Sequence, residues 1–338
     1  DMLVLSSPVL SALARLGIDV AHDTELTLLL EPDTLEDAYR LESIAGAQCL
    51  VACTSSLTPA RLAQAGMEAR AGEIAHAALA AVQALTPQHV LVEIGPCGLP
   101  LDPSSKASLM ENRDQYARAG RLFAEEEFDA FFLNGFETCD DLKCALMGLR
   151  KVSGAPIFAS VDVRADGTLT SGRGTVDEAA RVMEEFEASV AGFATAAPQA
   201  EAVALAKRMG AVTRLPLLAQ LEAGVRDAQQ FAPTEDNPYY VPDTMVSAAD
   251  ALRAAGVQFL RAAGDATPAY TGALAATMLG VEAPARAMLE EEAPTAAPKE
   301  DLSAFVERAR ARVAAALDGN LQIVEQDGPA VDGVEQVG

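Results

Sequence analysis

Short apolar runs alternate with longer, alanine-rich stretches along most of the chain. The runs fall at residues 3–5, 49–53, 90–94, 130–136, 156–163, 189–194, 217–221 and 257–260. Most are continuously apolar rather than alternating, the pattern of parallel strands covered on both faces. Between them lie segments long enough for a helix, among them 34–45, 69–85, 116–126 and 176–186. Eight strand-plus-helix units in one chain predict a closed (β/α)8 barrel, the TIM barrel architecture. A doubly wound open sheet is the alternative. No GxGxxG follows any of the runs, which counts against a dinucleotide-binding version of it. Glycine stands after two helical stretches just before the next run, in Ala45-Gly46-Ala47 and Ala255-Gly256-Val257. A left-handed C-cap there turns the chain back.

The barrel is expected over residues 1–285. Residues 286–300 are rich in glutamate and broken by Pro294 and Pro298, so they read as a linker. Residues 301–338 read as one more helix followed by an acidic stretch from Asp318, which is either a tail or the start of a further module.

Half of the 338 residues are hydrophobic, enough for a sizeable core. The net charge of −24 repels phosphate backbones and anionic lipid heads, so neither nucleic acid nor a membrane surface is an expected partner. No run reaches the roughly 20 apolar residues of a membrane span. No basic segment precedes an apolar run at the amino terminus, so no signal peptide is expected. The five cysteines are odd in number and form no CxxC pair, which points to a reducing cytoplasm. Three histidines leave few candidates for a histidine metal site or a Ser-His-Asp triad.

A barrel of this kind carries its chemistry at the carboxyl-terminal strand ends. The residues expected there begin with Ser6 and Ser7, then Cys53, then Cys97 within Gly95–Gly98. They continue with Glu137, Thr138 and Cys139, then Asp162, Thr195, Glu222 and Asp265. Asp162 and Glu222 are candidates for acid or base catalysis, or for bonding loop amides. Glu137, Thr138, Ser6, Ser7, Cys97, Thr195 and Asp265 are candidates for substrate contact. Glu137 can equally cap the helix that follows it, and Asp265 can be a solvated loop acid. Cys53, Cys97 and Cys139 follow three successive strands about 4.8 Å apart. They form either a displaced metal or redox site or small apolar fillers. Tyr239-Tyr240 is a candidate lid or dimer contact.

Several of these segments occur together in one order. Ala45-Gly46-Ala47 with Leu62–Gly66, Ile94-Gly95-Pro96-Cys97-Gly98, and Phe136-Glu137-Thr138 with Asp141-Leu142 and Ala145-Leu146 come first. Ala155-Pro156-Ile157 with Ser160, Thr168–Gly172, Glu222-Ala223-Gly224 and Thr267-Pro268 follow. In this order and spacing, from about residue 2 to 280, the chain resembles the homocysteine S-methyltransferase family. The resemblance implies a (β/α)8 barrel, a role in methionine metabolism, and methyl transfer involving a small thiol or amino-acid-like substrate. It also implies that Glu137 contacts the substrate amine. Members of that family hold a catalytic zinc through one cysteine after the sixth strand and two adjacent cysteines after the eighth. Zinc makes the substrate thiol a thiolate at neutral pH.

The chain departs from the family at those positions. Thr195 stands at the first, Ala263 and Gly264 at the adjacent pair, and none is a thiolate donor. The family's first-strand "DGAMGT" loop reads Ser6-Ser7-Pro8-Val9-Leu10-Ser11, and Pro8 has no N–H to offer a ligand. Zinc is therefore not expected at the family site. Three readings follow: a methyltransferase without the three-cysteine zinc, an enzyme with metal relocated to Cys53, Cys97 and Cys139, and a catalytically inactive barrel that binds a partner. The methyl donor is not legible. A corrinoid or folate module would come from another domain or protein, and an oligomer is compatible with the sequence.

Overall fold

The computed structural model of the chain describes residues 2–225 and 230–279. Eight parallel strands close on themselves in chain order, so the closed barrel is what forms and the open sheet is not. The strands are β1 (Leu3–Leu5), β2 (Cys49–Ala52), β3 (His89–Ile94), β4 (Ala130–Phe136), β5 (Ile157–Asp162), β6 (Val190–Thr195), β7 (Leu217–Ala223) and β8 (Val257–Gly264). Closure runs through β1 and β8, where Leu3, Val4 and Leu5 face Phe259, Leu260 and Arg261.

Eleven α-helices occur among the described residues. The first six are α1 (Val9–Arg15), α2 (Thr24–Leu30), α3 (Pro32–Ala45), α4 (Pro59–Gln64), α5 (Ala71–Gln83) and α6 (Lys106–Arg121). The rest are α7 (Cys139–Arg150), α8 (Val176–Glu185), α9 (Gln199–Val212), α10 (Asp243–Ala254) and α11 (Pro268–Leu279). Local signals explain several boundaries. Thr175 and Glu178 form a reciprocal capping box at the start of α8. Gly46 ends α3 with φ +105°, and a Cβ there would meet Ala275 of α11 at 2.8 Å. The helix expected at 116–126 starts ten residues earlier, because the Ser105 hydroxyl accepts the Ser108 N–H and caps it there. The expected linker at 286–300 and the helix and tail at 301–338 lie outside the described residues. Among the described residues no helix is long and apolar enough to cross a membrane.

Alternation along each strand divides the core in two. One set of side chains, including Val4, Val92, Leu133, Val161, Phe193 and Leu260, packs outward against the helices. The other fills the barrel with Leu5, Cys49, Val51, Leu91, Phe132, Phe158 and Leu218. β4 breaks step between Leu133 and Phe136 where it pairs with β5, and Gly135 takes φ +79° there. This irregularity turns Phe136 outward into the helix-facing core and leaves Glu137 exposed at the strand end.

Candidate active site at the barrel mouth

Above the apolar plug lies a layer of polar side chains, one from each of five strands. Asn134 donates to Glu93 at 2.7 Å. The Gln220 amide donates to Asn134 at 2.7 Å and to the Ser160 hydroxyl at 2.8 Å. Arg261 is 2 % exposed; it donates to Gln220 at 3.2 Å and to the Ser6 carbonyl at 2.9 Å, and stands 3.7 Å from Glu93. Its guanidinium also lies 5.2 Å from the centre of the Phe132 ring. Each side chain in this layer is hydrogen-bonded to another of it, which braces the floor. The sequence carried a signal for it: a lone polar residue inside an apolar run, as in Glu93, Asn134 and Gln220, is unusual in a buried strand.

Two residues further along β5 and β7, the same inward face presents Asp162 and Glu222. Both are half-buried, and neither carboxylate takes a hydrogen bond from a described residue. Burial first, then the charges of Glu222 and Glu137, push the Asp162 carboxyl up to about 7. Burial also raises Glu222. Asp162 and Glu222, the two acid–base candidates, therefore stand together with Glu137 over the floor.

The remaining expected residues are occupied elsewhere. The Ser6 hydroxyl accepts the Val51 N–H at 2.9 Å. Ser7 gives its N–H and its hydroxyl to Glu42, a buried carboxylate that also takes the Thr271 hydroxyl at 2.6 Å. Thr138 is the N-cap of α7, accepting the Asp141 N–H at 3.2 Å. The Thr195 hydroxyl accepts the Ala197 N–H at 3.1 Å. Asp265 pairs with Arg15 at 2.9 Å. Tyr239 is buried and donates to the Ala197 carbonyl at 2.9 Å, so its hydroxyl braces the interior.

The three cysteines do not converge. Cys53 is buried, and burial and the nearby Glu93 raise its thiol far above the usual range. Cys97 is buried and gives its thiol to Asn112 at 3.1 Å. Cys139 begins α7, where a Cβ on Gly174 would come within 3.3 Å of its sulfur, and burial lifts its thiol to about 11. Among the described residues no group of three or more His, Cys, Asp or Glu is arranged to hold a metal, so the relocated site at Cys53, Cys97 and Cys139 does not form.

A cavity of about 430 Å³ opens beside Glu137, lined by Thr138, Asp140, Asp141, Arg61 and Arg173. The two arginines were not singled out in the sequence, because nothing in their neighbours marks them. They belong to distant segments that the barrel brings together.

The fold and the mouth define a (β/α)8 barrel of the sort that holds its functional groups at the carboxyl-terminal strand ends. More narrowly, the chain belongs to the homocysteine S-methyltransferase family, whose model matches residues 9–278. Among solved structures it is similar to the homocysteine methyltransferase MmuM from Escherichia coli. The metallated form is 16 % identical with a TM-score of 0.66, covering 82 % of this chain and 96 % of that one. The apo form is 17 % identical with a TM-score of 0.60, over 82 % and 96 %. At that identity the likeness shows the fold alone. No curated protein matches the chain.

The family's thiolate-held zinc does not fit the residues present. Thr195 has spent its hydroxyl on Ala197, and Ala263 offers a methyl group. Gly264 has φ +64°, and a Cβ there would lie 2.4 Å from the Ala223 carbonyl oxygen. No cysteine side chain enters that position without moving β7 against β8.

Proposed function

We propose that the chain moves a methyl group to or from a small thiol or amino-acid-like substrate at the carboxylate-lined mouth, with Asp162 and Glu222 handling the proton. The observation that carries this reading is the Asp162 carboxyl, raised to about 7 and faced by Glu222 and Glu137. A carboxyl that titrates near neutrality takes up and returns a proton at the pH where it works. A free thiol, with a pKa of about 8.5, is a weak nucleophile until deprotonated. Passing its proton to a carboxylate of pKa about 7 costs about 2 kcal/mol. That is modest for an enzymatic step. Glu137 stands exposed at the end of β4, where a substrate ammonium can reach it. The methyl donor is a small molecule, or a folate or corrinoid carried by another domain or protein.

The test is a methyl-transfer assay of the full chain with folate, betaine, S-methyl and corrinoid donors against a panel of thiols. Turnover is expected with at least one pair. Asp162→Asn and Glu222→Gln should each lower kcat by about 100-fold or more, and Glu137→Gln should act mainly on KM. A second reading, a barrel that binds a partner without catalysis, draws support from the first-strand loop being tied to Glu42. Complete absence of turnover in the wild-type chain would favour it.

A further inference from the structure

We propose that Arg61 and Arg173 form a carboxylate-binding subsite in the cavity beside Glu137. The ligand taken there is then a zwitterion, with its ammonium on Glu137 and its carboxylate between two guanidiniums. The inference rests on the reading of Glu137 as an amine contact.

In this chain the side chains of the first-strand loop are not free to cradle a carboxylate. Both polar groups of Ser7 are committed to Glu42, the Ser6 hydroxyl is committed to Val51, and Pro8 has no N–H. Two guanidiniums on the wall of the cavity beside Glu137 offer donors for a carboxylate. Arg61 is held by its Nε, which donates to the Pro96 carbonyl at 2.6 Å. Among the described residues its terminal Nη groups have no hydrogen-bond partner, and its guanidinium forms part of the cavity wall. Arg173 reaches the same cavity from the loop after β5, and among the described residues it has no ion pair. That loop is fastened to the right place. The Ser171 hydroxyl donates to the Glu137 carbonyl at 2.5 Å, so the segment carrying Arg173 is tied to the strand end carrying Glu137.

The charges on the cavity wall sort into two groups. Asp141 takes the Tyr116 hydroxyl at 2.6 Å and feels the charge of Arg61. Glu137 and Asp140 are exposed and without ion pairs among the described residues, as is Arg173. A wall with open anions and open cations matches a ligand carrying both signs. A simple anion would meet the carboxylates, and a simple cation the guanidiniums. The volume, about 430 Å³, suits a small molecule. Two guanidiniums grip a carboxylate by charge-assisted forks, which lysines do not reproduce.

Calorimetric titration of the full chain tests this with three probes of one skeleton. These are L-methionine, 3-(methylthio)propylamine without the carboxylate, and 4-(methylthio)butanoate without the amine. L-Methionine should bind tighter than either analogue. Arg173→Gln, in an exposed loop, and Arg61→Gln should each weaken L-methionine by tenfold or more and leave the amine unchanged, with melting curves confirming folded protein. If the amine binds as well as L-methionine, and both depend on Glu137 but not on either arginine, the subsite is refuted while the Glu137 reading stands. If none of the three probes binds, both fall together.

Discussion

Where β1, β6 and β8 end, the polar side chains at the rim are bonded within the protein: Ser6 to Val51, Ser7 to Glu42, Thr195 to Ala197, and Asp265 to Arg15. Where β4, β5 and β7 end, Glu137, Asp162 and Glu222 face the mouth with no such partners for their carboxylates among the described residues. Both sets sit at the same strand ends of the same barrel. A polar group that has satisfied itself holds a loop, and one left open is available to a ligand and lowers the stability of the fold. Residues that share a place at the rim thus differ in whether they are bonded within the protein. The polar layer beneath belongs with the first set.

Cutting that floor should produce the largest effect. Arg261→Ala removes the cation beside Glu93 and the donors to Gln220 and the Ser6 carbonyl. Breaking a buried pair by deleting one partner costs about 3–5 kcal/mol. Urea denaturation at pH 7 should show that loss, and a change under about 1 kcal/mol would mean that the layer does not brace the mouth.

The open side makes the opposite prediction. Asp162 titrates near 3.8 when unfolded and near 7 when folded. Between those pH values the native state holds more protons than the unfolded one, so stability falls as pH rises. The penalty is absent below about pH 4 and complete above about pH 7. A difference of about three pH units corresponds to about 4 kcal/mol at most, and about 3 kcal/mol is a sober expectation for a half-buried group. Asp162→Asn should therefore be more stable than wild type at pH 8, with the gap closing as pH falls towards 4. Thermal melts across that range check it, and equal melting curves at pH 8 would remove Asp162 from the open set.

The eclipsed zinc position gives a smaller effect. Gly264→Cys forces a side chain into a left-handed backbone against the Ala223 carbonyl, costing about 2 kcal/mol. Restoring all three cysteines at Thr195, Ala263 and Gly264 should give a destabilised protein that does not bind stoichiometric zinc. Elemental analysis after zinc loading and desalting decides it.

Most of the architecture was legible because continuous apolar runs and their spacing report burial directly, and the barrel follows from counting them. The placement of Asp162 and Glu222 at the strand ends was legible too. Bond partners were not. Nothing in the sequence says that Ser7 meets Glu42, 35 residues away, or that Asp265 meets Arg15. Arg61 and Arg173 share a cavity only because α4 and the loop after β5 converge on one rim. The convergence of cysteines failed for a related reason. Strand spacing sets how near the backbones lie, whereas Cys97 points to Asn112 of α6 and Cys139 belongs to α7.

The smallest effect is the sharpest discriminator between the two sides of the rim. Ser7 lies in the loop that corresponds to a ligand cradle in the family pattern, so a binding role and a bracing role make different predictions for Ser7→Ala. In the bracing role the variant loses one donor to Glu42, while the Ser7 N–H and the Thr271 hydroxyl remain. That should cost about 1 kcal/mol of stability and leave ligand affinity within twofold. Because Glu42 joins α3 to the first-strand loop and to α11, the loss should also speed amide exchange in that loop while the ends of β5 and β7 stay protected. Unchanged stability with a tenfold weaker ligand would place Ser7 among the open groups and erase the distinction.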